Sequence, residues 1–166
     1  MESSVADVEA RLALLEERIG VLEDQLAIYQ VLAAYGPSVD SRNEAATASL
    51  WTKDGHYDFG DPPLKGADNI GALVDREPHV GYVADGCAHV ISMPHVTVDG
   101  DQAVATGYSR VYLNQGDHWR VERASANRWD MVRTENGWRV SGRKNRLLNG
   151  TGEARALLSS GVAPQR

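Results

Sequence analysis

The sequence predicts an α+β protein in which helices come first and a curved antiparallel sheet follows. Three observations carry that prediction. Residues 5–29 repeat apolar side chains at alternating spacings of three and four, the period of a helix. Residues 87–147 switch to the two-residue alternation of strands and contain two hairpin signals, "DGD" (99–101) and "TENG" (134–137). With 166 residues, 42% of them apolar, the chain is long enough to bury one substantial core.

The stretch "VADVEARLALLEERIGVLEDQLAIY" places Val8, Leu12, Leu15, Ile19, Leu22, Leu26 and Tyr29 in heptad register. With Leu12, Ile19 and Leu26 at a positions, Arg11, Arg18 and Gln25 fall at g, and Glu16, Glu23 and Gln30 at e. In a parallel homo-oligomer Arg11 meets Glu16 of the second chain, and Arg18 meets Glu23. The same pattern suits an amphipathic helix lying on its own domain, and both readings stay open. The helix continues through "QVLAAYGPSVD", where Gly36-Pro37 is expected to kink or interrupt it, because a proline has no N–H to donate. "SRNEAATASLW" reads as a second helix with a Ser41–Glu44 capping box, ended by "TKDG". "HYDFG" is a short strand, "DPPLKG" a loop, "ADNIGALVDRE" a third helix and "PHVGYVADG" an irregular connection.

Four long strands are then expected: "CAHVISMPHVTV", "QAVATGYSRVYLN", "HWRVERASANRWDMVR" and "WRVSGRKNRLL". A change of apolar phase at Pro94 predicts a bulge. Alternation puts Cys87, His89, Ile91 and Met93 inward on the first strand. On the third it turns Trp119, Val121, Arg123, Ser125, Asn127, Trp129 and Met131 inward. On the last it groups Trp138, Val140, Lys144 and Arg146, unless a bulge at Gly142 breaks that phase. Residues 1–27 form a helical extension, 28–150 the domain, and 151–166 a tail with a short helical piece and a mobile end.

Composition narrows the function. A net charge of −6 argues against a general nucleic-acid binder. No run resembles a signal peptide or reaches spanning length, so a cytoplasmic protein without membrane contact is expected. The single cysteine, Cys87, excludes an internal disulfide. No phosphate-binding glycine loop is present. His89 and His95 lack a clear third ligand, so no metal site is expected, and His56, His79 and His118 are expected to face solvent. Arg143, Lys144 and Arg146 are either a solvated strand end or a clamp for a substrate anion.

The segments "LEDQLAIYQVLAAYGPSVDSRN", "SLWTKDGHYDFG" with "LKGADNI", "AHVISMPHVTVDGDQAVATGY", "SANRWDMVRTENGWRV" and "GRKNR" together resemble the superfamily named for nuclear transport factor 2. More specifically they resemble its SnoaL-like, scytalone dehydratase-like branch, over about residues 22–148. The resemblance implies an NTF2-like cone, a curved antiparallel sheet wrapped around the N-terminal helices with a central cavity. It also implies a dyad of Asp40 and His89, with Tyr35 as a third catalytic group. The match to "SAN" implies that Ser125 and Asn127 line the substrate pocket, where Trp51, Tyr57, Phe59, Ile91, Trp129, Met131 and Arg146 are expected to join them.

The function so implied is a cofactor-independent lyase, a dehydratase or dehydrohalogenase, acting on a small hydrophobic cyclic molecule by His–Asp general base catalysis. Isomerases, cyclases, and non-catalytic ligand-binding or dioxygenase small-subunit-like modules share the fold. Val39, where scytalone dehydratase has a tyrosine, argues against scytalone itself. The superfamily's habit of associating through the sheet implies a homo-oligomer, a dimer or trimer.

Overall fold

A computed structural model describes residues 4–60 and 62–162. Helix α1 runs from Val5 to Asp40, 36 residues. Its start is fixed by a capping box: Ser4 Oγ accepts from the Asp7 N–H (3.2 Å) and the Asp7 carboxylate accepts from the Ser4 N–H (3.4 Å). The helix continues through Gly36-Pro37, so of the expected kink or interruption the interruption does not occur. Pro37 stands in the last turn, where few hydrogen bonds remain to be lost, and the Ser38 hydroxyl donates to the carbonyls of Ala34 and Tyr35. Packing holds the rest, since Ile28, Leu32, Tyr35 and Val39 are all buried against the sheet.

Helix α2 (Glu44–Ser49) is capped by Asn43, whose side chain accepts from the Ala46 N–H (2.9 Å), so the expected Ser41–Glu44 box does not form. Ser41 instead closes α1, its N–H bonding the Pro37 carbonyl. Strand β1 (Trp51–Asp58) begins directly after α2 and takes in "TKDG", which was expected to be a turn. It is recruited by parallel pairing with the last strand, with Tyr57 beside Arg143. There follow β2 (Leu64–Lys65), α3 (Ala67–Gly71), a 3-10 turn (Ala72–Asp75) and α4 (His79–Asp85). Helix α4 occupies the stretch expected to be irregular.

The remaining strands are β3 (Cys87–Ile91), β4 (His95–Asp99), β5 (Gln102–Asn114), β6 (Trp119–Thr134) and β7 (Gly137–Leu147). The sheet order is β2-β1-β7-β6-β5-β3, with β4 also on β5. All pairs are antiparallel except β1 with β7. The expected bulge at Pro94 is a full break. β3 pairs with Ser109–Leu113 and β4 with Gln102–Thr106. Gly107 faces the gap, where a Cβ would come within 3.2 Å of Pro94 Cα. Both glycine hairpins form, with Gly100 and Gly137 at positive φ.

Two bulges set the inward faces. On β6 the register slips at Glu122, and Trp119 and Val121, expected inward, are 56% and 51% exposed. Beyond the slip Ser125, Asn127, Trp129 and Met131 are buried as expected. On β7 the slip at Ser141 reverses the phase, so Arg143 turns inward and Arg146 outward. The core lies between α1 and the concave face of the sheet. Helix α5 (Gly152–Gly161) covers part of the convex face, setting Ala154 and Leu157 on Ala126. Residues 163–166 of the expected tail lie outside the described residues. No described helix is long and apolar enough to cross a membrane.

Candidate functional site

The site is assembled where α1 crosses β3. Gly36 makes the crossing close: a Cβ there would lie 2.2 Å from the His89 carbonyl oxygen. One turn on, Asp40 therefore reaches the strand. Its Oδ1 accepts from His89 Nδ1 (2.6 Å), and its Oδ2 accepts from the His89 backbone N–H (2.8 Å). The Cys87 thiol also points at Oδ1, at 3.5 Å. Burial pushes the Asp40 carboxyl up, but the bonds from the His89 ring, its backbone and the Cys87 thiol outweigh it and hold the group below the usual carboxylate range. The same surroundings, burial first and then the Asp40 charge, push the Cys87 thiol up to about 12, which makes it a poor nucleophile. With Nδ1–H committed to Asp40, Nε2 is the basic nitrogen of His89.

His89 opens onto a cavity of about 460 Å³ between the helices and the sheet. Tyr35, Tyr57, Phe59, Ile70, Val74 and Leu73 give it apolar walls, and Glu122, Arg123 and Asn145 enter from β6 and β7. A volume of this size suits a small organic molecule. Of the expected pocket residues, Tyr35, Tyr57, Phe59 and His89 line this cavity, and Ile91 lines a narrow recess behind it.

Trp51, Trp129 and Met131 are core residues behind the wall. Ser125 and Asn127 are buried as well and do not line the cavity. Asn127 is a structural hub. Its Oδ1 accepts from Arg143 Nε (3.0 Å), Arg143 Nη2 (2.7 Å) and Asn145 Nδ2 (2.9 Å), while its Nδ2 donates to Ser109 Oγ (2.8 Å). Arg146 turns away from the cavity because of the Ser141 bulge. It pairs with Asp58 (2.8 Å) and lines an outer groove of about 530 Å³ whose wall does not include His89.

Arg143 was expected to belong to a solvated strand end or an anion clamp. It is 2% exposed. Its guanidinium stacks on the rings of Trp129 (4.0 Å), Tyr35 (4.5 Å) and Tyr57 (4.6 Å), and Nη1 is buried without a partner. No carboxylate pairs with it among the described residues. Burial pushes the Tyr57 phenol well up, and the adjacent guanidinium pulls against that. A buried cation under two phenols favours negative charge developing at their hydroxyls. The signal in the sequence was present in "GRKNR", but alternation without the bulge assigned the wrong residue to the interior.

His79 also departs from expectation. The first turn of α4 brings it into the cavity wall rather than solvent, with its ring centroid 5.3 Å from that of His89. A nitrogen of each histidine and an oxygen of Asp40 lie within 4.8 Å of one another. Both Asp40 oxygens accept from His89 N–H groups, so the trio is arranged as a hydrogen-bonded cluster more than as an open set of metal ligands.

A curved sheet folded over a long helix, with an aspartate-held histidine in its cavity, defines a class of cone-shaped α+β proteins. The SnoaL-like domain family matches residues 20–144, and the chain belongs to that family. The chain is similar to an NTF2-like protein with a cystatin-like fold from Novosphingobium aromaticivorans, at 40% identity over 96% of this chain and 99% of that one, with a TM-score of 0.81. It shares its fold with the hexachlorocyclohexane dehydrochlorinase LinA-type3 from Novosphingobium barchaimii, at 20% identity over 79% of this chain and 90% of that one, TM-score 0.66. A protein from Catenulispora acidiphila, solved in complex with S-DNPA, is 20% identical over 80% of this chain and 96% of that one, TM-score 0.66. Among curated proteins none matches the chain.

Proposed function

We propose that the protein is a lyase that removes water or halide from a small cyclic apolar molecule by general base catalysis. The observation that carries this reading is the bond from His89 Nδ1 to Asp40 Oδ1 (2.6 Å) at the wall of an apolar cavity. His89 Nε2 takes a proton from carbon, and Asp40 stabilises the imidazolium that results. Tyr35 and Tyr57 donate to the oxygen on which charge develops, and Arg143 beneath their rings supports that charge without touching solvent. The steps draw on side chains of this chain alone. The fold shared with a dehydrochlorinase supports the reading at the level of architecture.

The test is a compound whose reaction begins with C–H proton abstraction, 5-nitrobenzisoxazole, which opens to a cyanophenolate once deprotonated. Wild type is expected to open it with saturation kinetics. His89→Ala should lower kcat/KM by about 10²-fold or more. Asp40→Asn should lower it less, because the base remains but its tautomer is no longer held. Equal rates in wild type and His89→Ala would rule the reading out.

The partner that the N-terminal half of α1 fits is a second copy of this chain, in parallel. Val8, Leu12, Leu15, Ile19, Leu22 and Leu26 are 47–63% exposed, so the stripe is not laid on its own domain. Asp24 and Ile28, which do face the domain, stand two residues from Leu22 and Leu26 and so about 200° round the helix, nearly opposite. Charge selects the direction. Parallel pairing sets Arg11 against Glu16 and Arg18 against Glu23 of the other chain, whereas antiparallel pairing would set arginine against arginine and glutamate against glutamate.

A further inference from the structure

His79 lies outside the Asp40–His89 pair, yet its position is as constrained. Its Nδ1 lies 2.9 Å from the carbonyl oxygen of Val74, which accepts only, so Nδ1 carries a hydrogen and donates. That leaves Nε2 as the variable position. Nε2 is buried and has no hydrogen-bond partner among the described residues. A buried imidazole nitrogen without a partner costs stability unless something else offers it one. Here the neighbours are the cavity and the His89 ring, whose own Nδ1 is engaged by Asp40.

The two histidines are therefore held alike. Each is fixed through Nδ1–H by a protein oxygen, one a carboxylate and one a neutral carbonyl, and each leaves Nε2 without a protein partner among the described residues, in a ring that lines the cavity wall. The difference in acceptor separates their tasks. The Asp40 carboxylate faces the imidazolium that forms when His89 takes a proton, whereas the neutral Val74 carbonyl only orients the His79 ring. Arg76, Glu77 and Tyr82 from the α4 side and Glu122 and Arg123 from β6 share the same cavity, so carboxylates and guanidiniums of both signs face the pair.

We propose that His79 is a second catalytic residue, the general acid that protonates the leaving group while His89 removes the proton from carbon. The inference rests on the lyase reading above. Protonated His79 gives its Nε2 proton to the departing oxygen as the carbon–oxygen bond breaks. The electrons of the C–H bond become the new C=C bond, and His89 Nε2 receives the proton. One water leaves, and the charge has moved from His79 to His89. The enzyme resets when the proton returns to His79, whose ring centroid lies 5.3 Å from that of His89.

The experiment compares two compounds on the full chain: 5-nitrobenzisoxazole, whose nitrophenolate needs no acid to leave, and 3-hydroxycyclohexanone, whose hydroxyl does. His79→Gln is expected to lower dehydration of the hydroxyketone about 10²-fold or more and to abolish the alkaline limb of its pH profile. Opening of the benzisoxazole should stay within about threefold of wild type. His79→Asn, whose amide can still donate to Val74, should behave the same and guards against a folding defect, and imidazole in solution should partly restore dehydration to His79→Ala.

Equal losses with both compounds would make His79 a structural residue and overturn the proposal, as would unchanged dehydration in His79→Gln. Stoichiometric Zn²⁺ binding by wild type that is lost in His79→Gln would overturn it in favour of a metal site. If wild type turns over neither compound, the lyase reading itself falls and this proposal with it. If His89-dependent benzisoxazole opening persists while the His79 results fail, only the proposal falls.

Discussion

Gly36 decides how near Asp40 comes to His89. Any side chain there meets the His89 carbonyl, 2.2 Å from an added Cβ, so α1 must move off β3. Gly36→Ala is therefore expected to destabilise the fold by about 1–3 kcal/mol despite alanine's better helix propensity. It should also reduce benzisoxazole opening nearly as far as Asp40→Asn does. Urea unfolding and the rate assay, run together, check this; a gain in stability would show that the crossing has slack. Asp40, His89, Tyr35, Tyr57 and Phe59 were legible in the sequence, because the family resemblance fixes their places on elements that alternation can trace. Arg143 and His79 were not. One is turned inward by a bulge beside Gly142, whose presence a glycine suggests but whose effect on the phase strand alternation alone does not settle, and the other is brought in by a helix that local propensity does not announce.

Helix α4 shows why that helix was missed. "HVGYVAD" mixes β-branched residues with glycine, and none of its residues is buried below the surface layer. Its place comes from neighbours: His79 on Val74, and the Asn114 side chain on the Asp85 carbonyl (3.2 Å). β1 was also underread, because its partner β7 is distant in the chain, with Tyr57 beside Arg143, and pairs in parallel. By contrast α1, the third helix and the two hairpins carry their signals within a few residues. At this scale the self-association of α1 is directly testable. Arg11→Glu with Arg18→Glu should lower the mass measured by light scattering to that of one chain. Adding Glu16→Arg and Glu23→Arg to the same chain should restore the larger mass, since the attraction is re-formed with signs exchanged. Restoration failing while the fold remains intact would exclude the parallel arrangement.

Three carboxylates tie the whole molecule together. Asp24 joins α1 to Arg133 and Trp138 at one end of the sheet, Asp40 joins it to β3 at the other, and Asp58 joins β1 to Arg146. Each lies below the usual carboxylate range: Asp24 through its bonds from Arg133, Asp58 through its bonds from Arg146, and Asp40 through the His89 bonds that overcome burial. Since the folded values are lower than the unfolded ones, the stability they lend is complete above about pH 4, where free aspartates are ionised, and is lost as pH falls through the folded values. Urea midpoints should thus hold between pH 7 and 5 and drop below about 4. An Asp24→Asn, Asp40→Asn, Asp58→Asn chain should be weaker at pH 7 and show a shallower acid drop, and an equally steep drop would assign it to other groups. The cone itself was readable in outline, as a helix-first chain with a hairpin-rich second half.

The unbroken passage of α1 from its exposed stripe to Asp40 has a mechanical consequence. At 1.5 Å per residue the helix is about 54 Å long, and it stays helical from the exposed stripe to the turn that carries Asp40. Whatever grips the outer end also sets the tilt of the inner one, and with it the angle at which a carboxylate meets an imidazole. A pair of such chains wound together would share a single axle, so that loosening the grip at the rim would be felt as misalignment at both hubs.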